Sequence, residues 1–134
     1  MTFTAASAAV ESLVGRAVLV VEDNGLLCCV IEEALREAGC KIVGPYTRLP
    51  EAMAAVPAAD IDVALLDMNV HGELVSPLAD QLRQRGVPFL LTSAYRRDDL
   101  PRALQSAVQL RKPYTDEALL ERLAMLITEK KRNN

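Results

Sequence analysis

Glu22, Asp23 and Asp67 are the side chains best placed to do chemistry. Each follows directly on a run of strand-forming apolar residues. Ala17-Val18-Leu19-Val20-Val21 leads into Glu22-Asp23, and Val63-Ala64-Leu65-Leu66 leads into Asp67. Buried parallel strands read as continuous apolar runs, and carboxylates do not belong inside them. In an open α/β sheet, ligands bind just beyond the carboxyl ends of the strands. Two such strands side by side would gather these carboxylates in one pocket. That pocket repels itself unless a cation sits there, and a hard divalent ion suits oxygen ligands. Two further strand patterns end in Ser93-Ala94-Tyr95 and in Arg111-Lys112-Pro113. The sheet edge therefore offers carboxylates, a hydroxyl and an ammonium. Phosphoryl transfer needs this set: a metal to neutralise oxygens, donors for the equatorial oxygens and a nucleophile in line. A carboxylate can be that nucleophile, giving an acyl phosphate.

The elements that must position these groups alternate strand and helix five times from Arg16 onward. Strands are expected at 17–22, 40–45, 62–67, 87–92 and 107–110, the second stopping at Pro45. The first helix is expected at 25–38, with Leu26, Leu27, Val30, Ile31, Ala34, Leu35 and Ala38 on one face and Gly39 ending it. A short alanine-rich helix is expected at 49–57. The loop Met68-Asn69-Val70-His71-Gly72 turns the chain, with Gly72 free to take a positive φ. A third helix at 73–85 carries Leu74, Leu78 and Leu82, with Pro77 in its first turn. A fourth starts near the caps Asp98-Asp99, with Pro101 in its first turn. The fifth runs over 116–130. Five such units predict an α/β fold: a doubly wound five-stranded parallel sheet with helices on both faces.

The bulk numbers agree. A length of 134 residues suits one domain, and 51% apolar residues suffice for a core. A net charge of -3 offers no nucleic-acid footprint. The basic tail Lys130-Lys131-Arg132 complements a helix dipole. Cys28, Cys29 and Cys40 lack metal-ligand spacing and read as reduced, partly buried thiols of a cytoplasmic protein. No apolar stretch approaches the ~18 residues of a membrane span, and the first fifteen residues lack a signal-peptide pattern. Residues 1–16 read as a loose N-terminal arm, with a short helix at 8–14, before a domain at 17–134.

The sequence resembles the receiver domain of two-component response regulators. The matching pieces are Val-Leu-Val-Val-Glu-Asp-Asn at 18–24, Leu-Leu-Asp-Met-Asn-Val-His-Gly at 65–72, Val-Pro-Phe-Leu-Leu-Thr-Ser-Ala-Tyr at 87–95 and Leu-Arg-Lys-Pro at 110–113. The resemblance covers 17–128 and implies a flavodoxin-like (βα)5 fold in strand order 2-1-3-4-5. The end of the fourth strand resembles a subgroup, found largely in alphaproteobacteria, whose motif reads Phe-Ala-Thr-Gly-Tyr; here it reads Leu-Thr-Ser-Ala-Tyr.

By position, the resemblance implies that Asp67 is the phosphoacceptor. Asp23 binds Mg²⁺ (or Mn²⁺) directly, with Glu22 acting through water and the Asn69 backbone carbonyl completing the protein ligands of a metal set formed with Asp67. Ser93 takes the hydroxyl position, with Thr92 as its rival, and Lys112 pairs with a phosphoryl oxygen. The Lys112–Pro113 peptide is implied to be cis, which proline makes accessible at about 0.5–1 kcal/mol. Receivers usually carry an aromatic three residues before the lysine. Gln109 stands there, so the usual relay is missing, and Tyr95 is a substitute for part of it. His71 stands where many receivers have proline and reads as a solvated loop residue.

The function implied is that of a single-domain response regulator, a phosphoacceptor and not a turnover enzyme. A histidine kinase or histidine phosphotransfer protein donates the phosphoryl group. Output passes through a downstream target protein or by phosphate shuttling, without nucleic acid or membrane, and homodimerisation is left open. The alternatives are a pseudo-receiver that binds partners without phosphorylation, and an aspartate-nucleophile phosphatase. The phosphatase wants a second aspartate where Asn69 stands. A flavodoxin-like FMN carrier ranks last, because no phosphate-binding loop follows the first strand.

Overall fold

In a computed structural model the described residues, 9–132, form seven strands and four α-helices of seven residues or more, preceded by helical residues 9–11 within the span where a short helix is expected. The order is β1 (Ala17–Val21), α1 (Gly25–Glu37), β2 (Lys41–Tyr46), α2 (Leu49–Ala55), β3 (Val63–Asp67), β4 (Asn69–Val70), β5 (Glu73–Leu74), α3 (Ser76–Gln84), β6 (Phe89–Ser93), β7 (Val108–Arg111) and α4 (Asp116–Arg132). The main sheet is parallel in the order β2-β1-β3-β6-β7, which is the expected 2-1-3-4-5 once the small β4–β5 hairpin is set aside. This is the doubly wound, flavodoxin-like arrangement.

Both faces of the sheet are covered, so its strands can be apolar throughout. Strand alternation sends Leu19, Val21, Leu66 and Leu91 to a cluster with Leu78 and Leu82 of α3. It sends Val18, Val20, Leu65 and Leu90 to a second cluster with Ile31 and Leu35 of α1 and Leu119, Leu123 and Ile127 of α4. Each fully buried leucine contributes about 1.5–3 kcal/mol relative to exposure. Leu13 belongs to the second cluster, so the described part of the expected loose arm is packed down.

Gly39 ends α1 as expected, at φ 83, with Gly39 N–H donating to Arg36 O and Cys40 N–H to Leu35 O. That is the Schellman pattern, and a left-handed residue there favours glycine. Thr115 starts α4, its hydroxyl accepting from Ala118 N–H at 3.0 Å.

Four expectations need correction. The buried stripe of α1 includes Cys28, whereas Leu26 is 78% exposed and Val30 is exposed too. β2 does not stop at Pro45 but runs to Tyr46, because an edge strand tolerates a missing N–H. Gly44 is required just before it: φ is +101, and an added Cβ would lie 2.7 Å from Tyr46 N and 3.0 Å from Val20 O. The third helix begins at Ser76, not 73, because Glu73 and Leu74 pair back onto Asn69 and Val70; Leu74 is 42% exposed. The expected fourth helix is absent, and 3-10 turns at Arg97–Asp99 and Arg102–Leu104 replace it. Pro101 explains this. A residue before proline is pushed out of the helical region, and Leu100 has ψ 150. Leu100 and Leu104 are nevertheless buried, so the segment packs without a helix.

Candidate functional site

β1 and β3 end side by side and β7 ends one strand beyond, past β6; residues at or just after these ends supply the charges. Glu22 is 2% exposed and Asp67 8%. Lys112 reaches both: its Nζ lies 3.4 Å from Glu22 Oε1 and Oε2 and 3.3 Å from Asp67 Oδ2. Buried charges persist only when paired, and one ammonium serves two carboxylates here. The Lys112 backbone N–H donates to Ser93 O at 2.8 Å, so the β6–β7 ladder fixes the root of the lysine. The Lys112–Pro113 peptide is cis, as the resemblance implies, and Gly44–Pro45 is cis as well. The extension of β2 also serves the site: Glu22 N–H donates to Tyr46 O at 3.1 Å.

The β4–β5 hairpin positions Asp23. His71 and Gly72 form its two-residue turn at φ 50 and φ 81, the double positive φ that suits the twist of a tight hairpin. The His71 backbone N–H then donates to Asp23 Oδ2 at 2.8 Å. Asn69 Oδ1 accepts from Gly72 N–H at 2.8 Å, so its side chain holds the turn. His71 thus acts through its backbone, and its side chain is exposed as expected.

Glu22, Asp23 and Asp67 each offer a carboxylate oxygen within 4.8 Å of the others. An all-oxygen donor set of this charge fits Mg²⁺ or Mn²⁺ and not a thiolate-seeking metal.

The hydroxyls are arranged differently. Thr92 is in register with Asp67 and shares its sheet face, and the Thr92 hydroxyl donates to Leu66 O at 3.4 Å. Ser93, one residue on, alternates to the opposite face together with Leu91 and Gln109. It is 3% exposed, and its Oγ accepts from Tyr95 N–H at 2.8 Å. The structure therefore brings Glu22, Asp23, Asp67 and Lys112 together and turns Ser93 toward its own loop.

Tyr114 was not singled out from the sequence. Its hydroxyl is buried without a hydrogen-bond partner. Burial raises its pKa, and the charges of Glu22 and Asp67 raise it further. With Leu27, Ala94, Lys112 and Pro113 it lines a largely apolar cavity of about 440 Å³ beside the lysine. The signal was available: Tyr114 directly follows the Lys112–Pro113 pair. Cys28 donates its Sγ proton to Glu22 O at 3.2 Å, and burial pushes the thiol up to about 11, which leaves it inert. The cysteines are free, and Cys29 is exposed, not partly buried.

Burial, followed by the neighbouring Asp67, pushes the Glu22 carboxyl up to about 7 from 4.5, against the opposing pull of Lys112. The folded state thus holds this proton more tightly than the unfolded chain does. Its contribution to stability falls as pH rises from 4.5 to about 7. Without divalent metal, the chain should lose up to about 3 kcal/mol across that window relative to Glu22→Gln. Urea unfolding of both proteins across the window measures it. Parallel pH profiles would show that Glu22 does not titrate there.

Among the described residues, no helix is long and apolar enough to cross a membrane. No curated protein matches the chain. Solved structures do. SdrG from Sphingomonas melonis Fr1 is 30% identical over 87% of this chain and 98% of that one, with a TM-score of 0.72. The signal receiver domain of a modulated diguanylate cyclase from Desulfovibrio desulfuricans G20 is 26% identical over 90% of this chain and 99% of that one, with a TM-score of 0.78. The response regulator PhyR from Brucella abortus shares the fold at a TM-score of 0.81 and 17% identity; the match spans 95% of this chain and 54% of that one. The family profile described as the response regulator receiver domain matches residues 18–124, and the chain belongs to that family.

Proposed function

We propose that Asp67 accepts a phosphoryl group from the phosphohistidine of a histidine kinase or histidine phosphotransfer protein. The observation that carries this reading is the Lys112 ammonium bridging Asp67 and Glu22, beside an acidic cluster, in a receiver domain. An Asp67 carboxylate oxygen forms the new bond to phosphorus while the donor's P–N bond breaks, and the imidazole leaves with the electron pair. Asp23, Asp67 and the Asn69 carbonyl, with Glu22 acting through water, would hold Mg²⁺, which would supply positive charge to the phosphoryl oxygens. Lys112 pairs with one phosphoryl oxygen. Ser93 rotates from Tyr95 to donate its proton to another, because the Thr92 hydroxyl is already spent on Leu66 O.

On this reading the protein is a cytoplasmic phosphoacceptor and not a turnover enzyme. Residues 17–134 act as the receiver, with the leading arm docked through Leu13. Output in this reading passes through protein contacts with a downstream target or by phosphate shuttling. Membership of the Phe-Ala-Thr-Gly-Tyr subgroup rests on Ser93-Ala94-Tyr95. A partner-binding module without phosphorylation is the second reading, favoured by Ser93 facing away from Asp67. Titration with beryllofluoride and Mg²⁺, followed by amide NMR, decides between them. Saturable binding that shifts Asp67, Ser93 and Lys112 is expected, and no binding leaves the second reading.

A further inference from the structure

Ser93, Tyr95 and Gln109 are joined in one hydrogen-bonded chain on the sheet face opposite Asp67. The Ser93 hydroxyl accepts from Tyr95 N–H at 2.8 Å, and the Tyr95 carbonyl accepts from Gln109 Nε2 at 2.7 Å. The Gln109 backbone carbonyl in turn accepts from Arg122 of α4 at 3.0 Å. The Tyr95 backbone is thus held on both sides, the preceding peptide through its N–H by the serine and the following one through its C=O by the glutamine. Its ring contributes little to this, because Tyr95 is exposed. No α-helix follows to stiffen the loop, which continues into 3-10 turns.

We propose that Gln109 is a latch that holds Ser93 turned away from the phosphoacceptor. Pinning the Tyr95 carbonyl narrows the φ and ψ open to Tyr95 and so favours the observed direction of its N–H. That N–H stabilises the outward position of the Ser93 hydroxyl. Bringing Ser93 to a phosphoryl group gives up the Tyr95 bond, so whatever orders Tyr95 opposes the active arrangement. Gln109 is a positioning residue that acts through Tyr95 on Ser93. Arg122 anchors the strand that carries the latch, which ties the loop to α4. The inference rests on the phosphoacceptor reading given above, since Ser93 must be a phosphoryl contact for the latch to matter.

The sign of the effect makes the test sharp. Gln109→Met keeps the length and removes the donor. A neutral hydrogen bond of this kind is worth about fivefold in an equilibrium. In the unliganded chain, Tyr95 amide hydrogen exchange should quicken by about fivefold while Leu91 exchange stays unchanged. With Mg²⁺ present, beryllofluoride should bind Gln109→Met about fivefold more tightly than the unaltered chain. Damage to the fold would weaken binding, not tighten it. In a Ser93→Ala background, Gln109→Met should no longer change the affinity, because the latch has nothing left to hold. Equal or weaker binding by Gln109→Met, or tightening that persists in Ser93→Ala, overturns the latch and leaves Asp67 as acceptor. No beryllofluoride binding by the unaltered chain overturns the phosphoacceptor reading and the latch with it.

Discussion

Asp67→Asn is expected to abolish Mg²⁺-dependent labelling by acetyl phosphate, by more than about 10³-fold, because a carboxamide cannot supply the attacking oxygen. The substitution is nearly isosteric, and Asp67 sits at the end of a fully buried strand, so the fold should persist. A second readout checks that the site has changed as the geometry demands. Asp67 raises the Glu22 pKa both by hydrogen bonding and by charge. In Asp67→Asn the Glu22 carboxyl should therefore titrate below about 7. Carboxyl-carbon NMR of Glu22 measures this. Undiminished labelling of Asp67→Asn removes this residue as the acceptor.

Lys112→Met should have the next largest effect. Its ammonium holds together two carboxylates that otherwise repel, and it is the cation placed to meet a phosphoryl oxygen. Loss of one preorganised donor to developing charge typically costs 10²–10³-fold in rate, so phosphorylation should slow by about 10²-fold. Lys112 also lowers the Glu22 pKa. Glu22 should then keep its proton above about 7. Lys112→Arg retains the charge but not the compact geometry, and it should restore only part of the rate. A Lys112→Met protein labelled at the unaltered rate would remove the lysine from the chemistry.

The sequence made the sheet legible because its signals are strong and local. Apolar runs that stop at Glu22 and Asp67 mark strand ends, and Gly39 marks a helix end. The gathering of Glu22, Asp23, Asp67 and Lys112 follows from strand order, which the alternation of elements narrows and the family resemblance supplies. What could not be read is set by tertiary context. Pro101 looked like a helix start, yet it broke the helix because its effect on Leu100 dominated. Leu74 fitted a helical stripe, but pairing with Asn69 claimed it for a hairpin. Leu26 and Val30 fitted the apolar face of α1, and Cys28 took their place toward the core. The bond from Gln109 on β7 to the Tyr95 carbonyl in the loop after β6 is a tertiary contact that no spacing rule encodes.

Pro45 and Gln109 sit on the two outer strands of the sheet, and each blunts its rim. Pro45 offers no donor on β2, and Arg122 already occupies the Gln109 carbonyl on β7. Open rims are where separate molecules add strand to strand and grow into fibrils. Both features work against edge-to-edge pairing of separate copies of the chain.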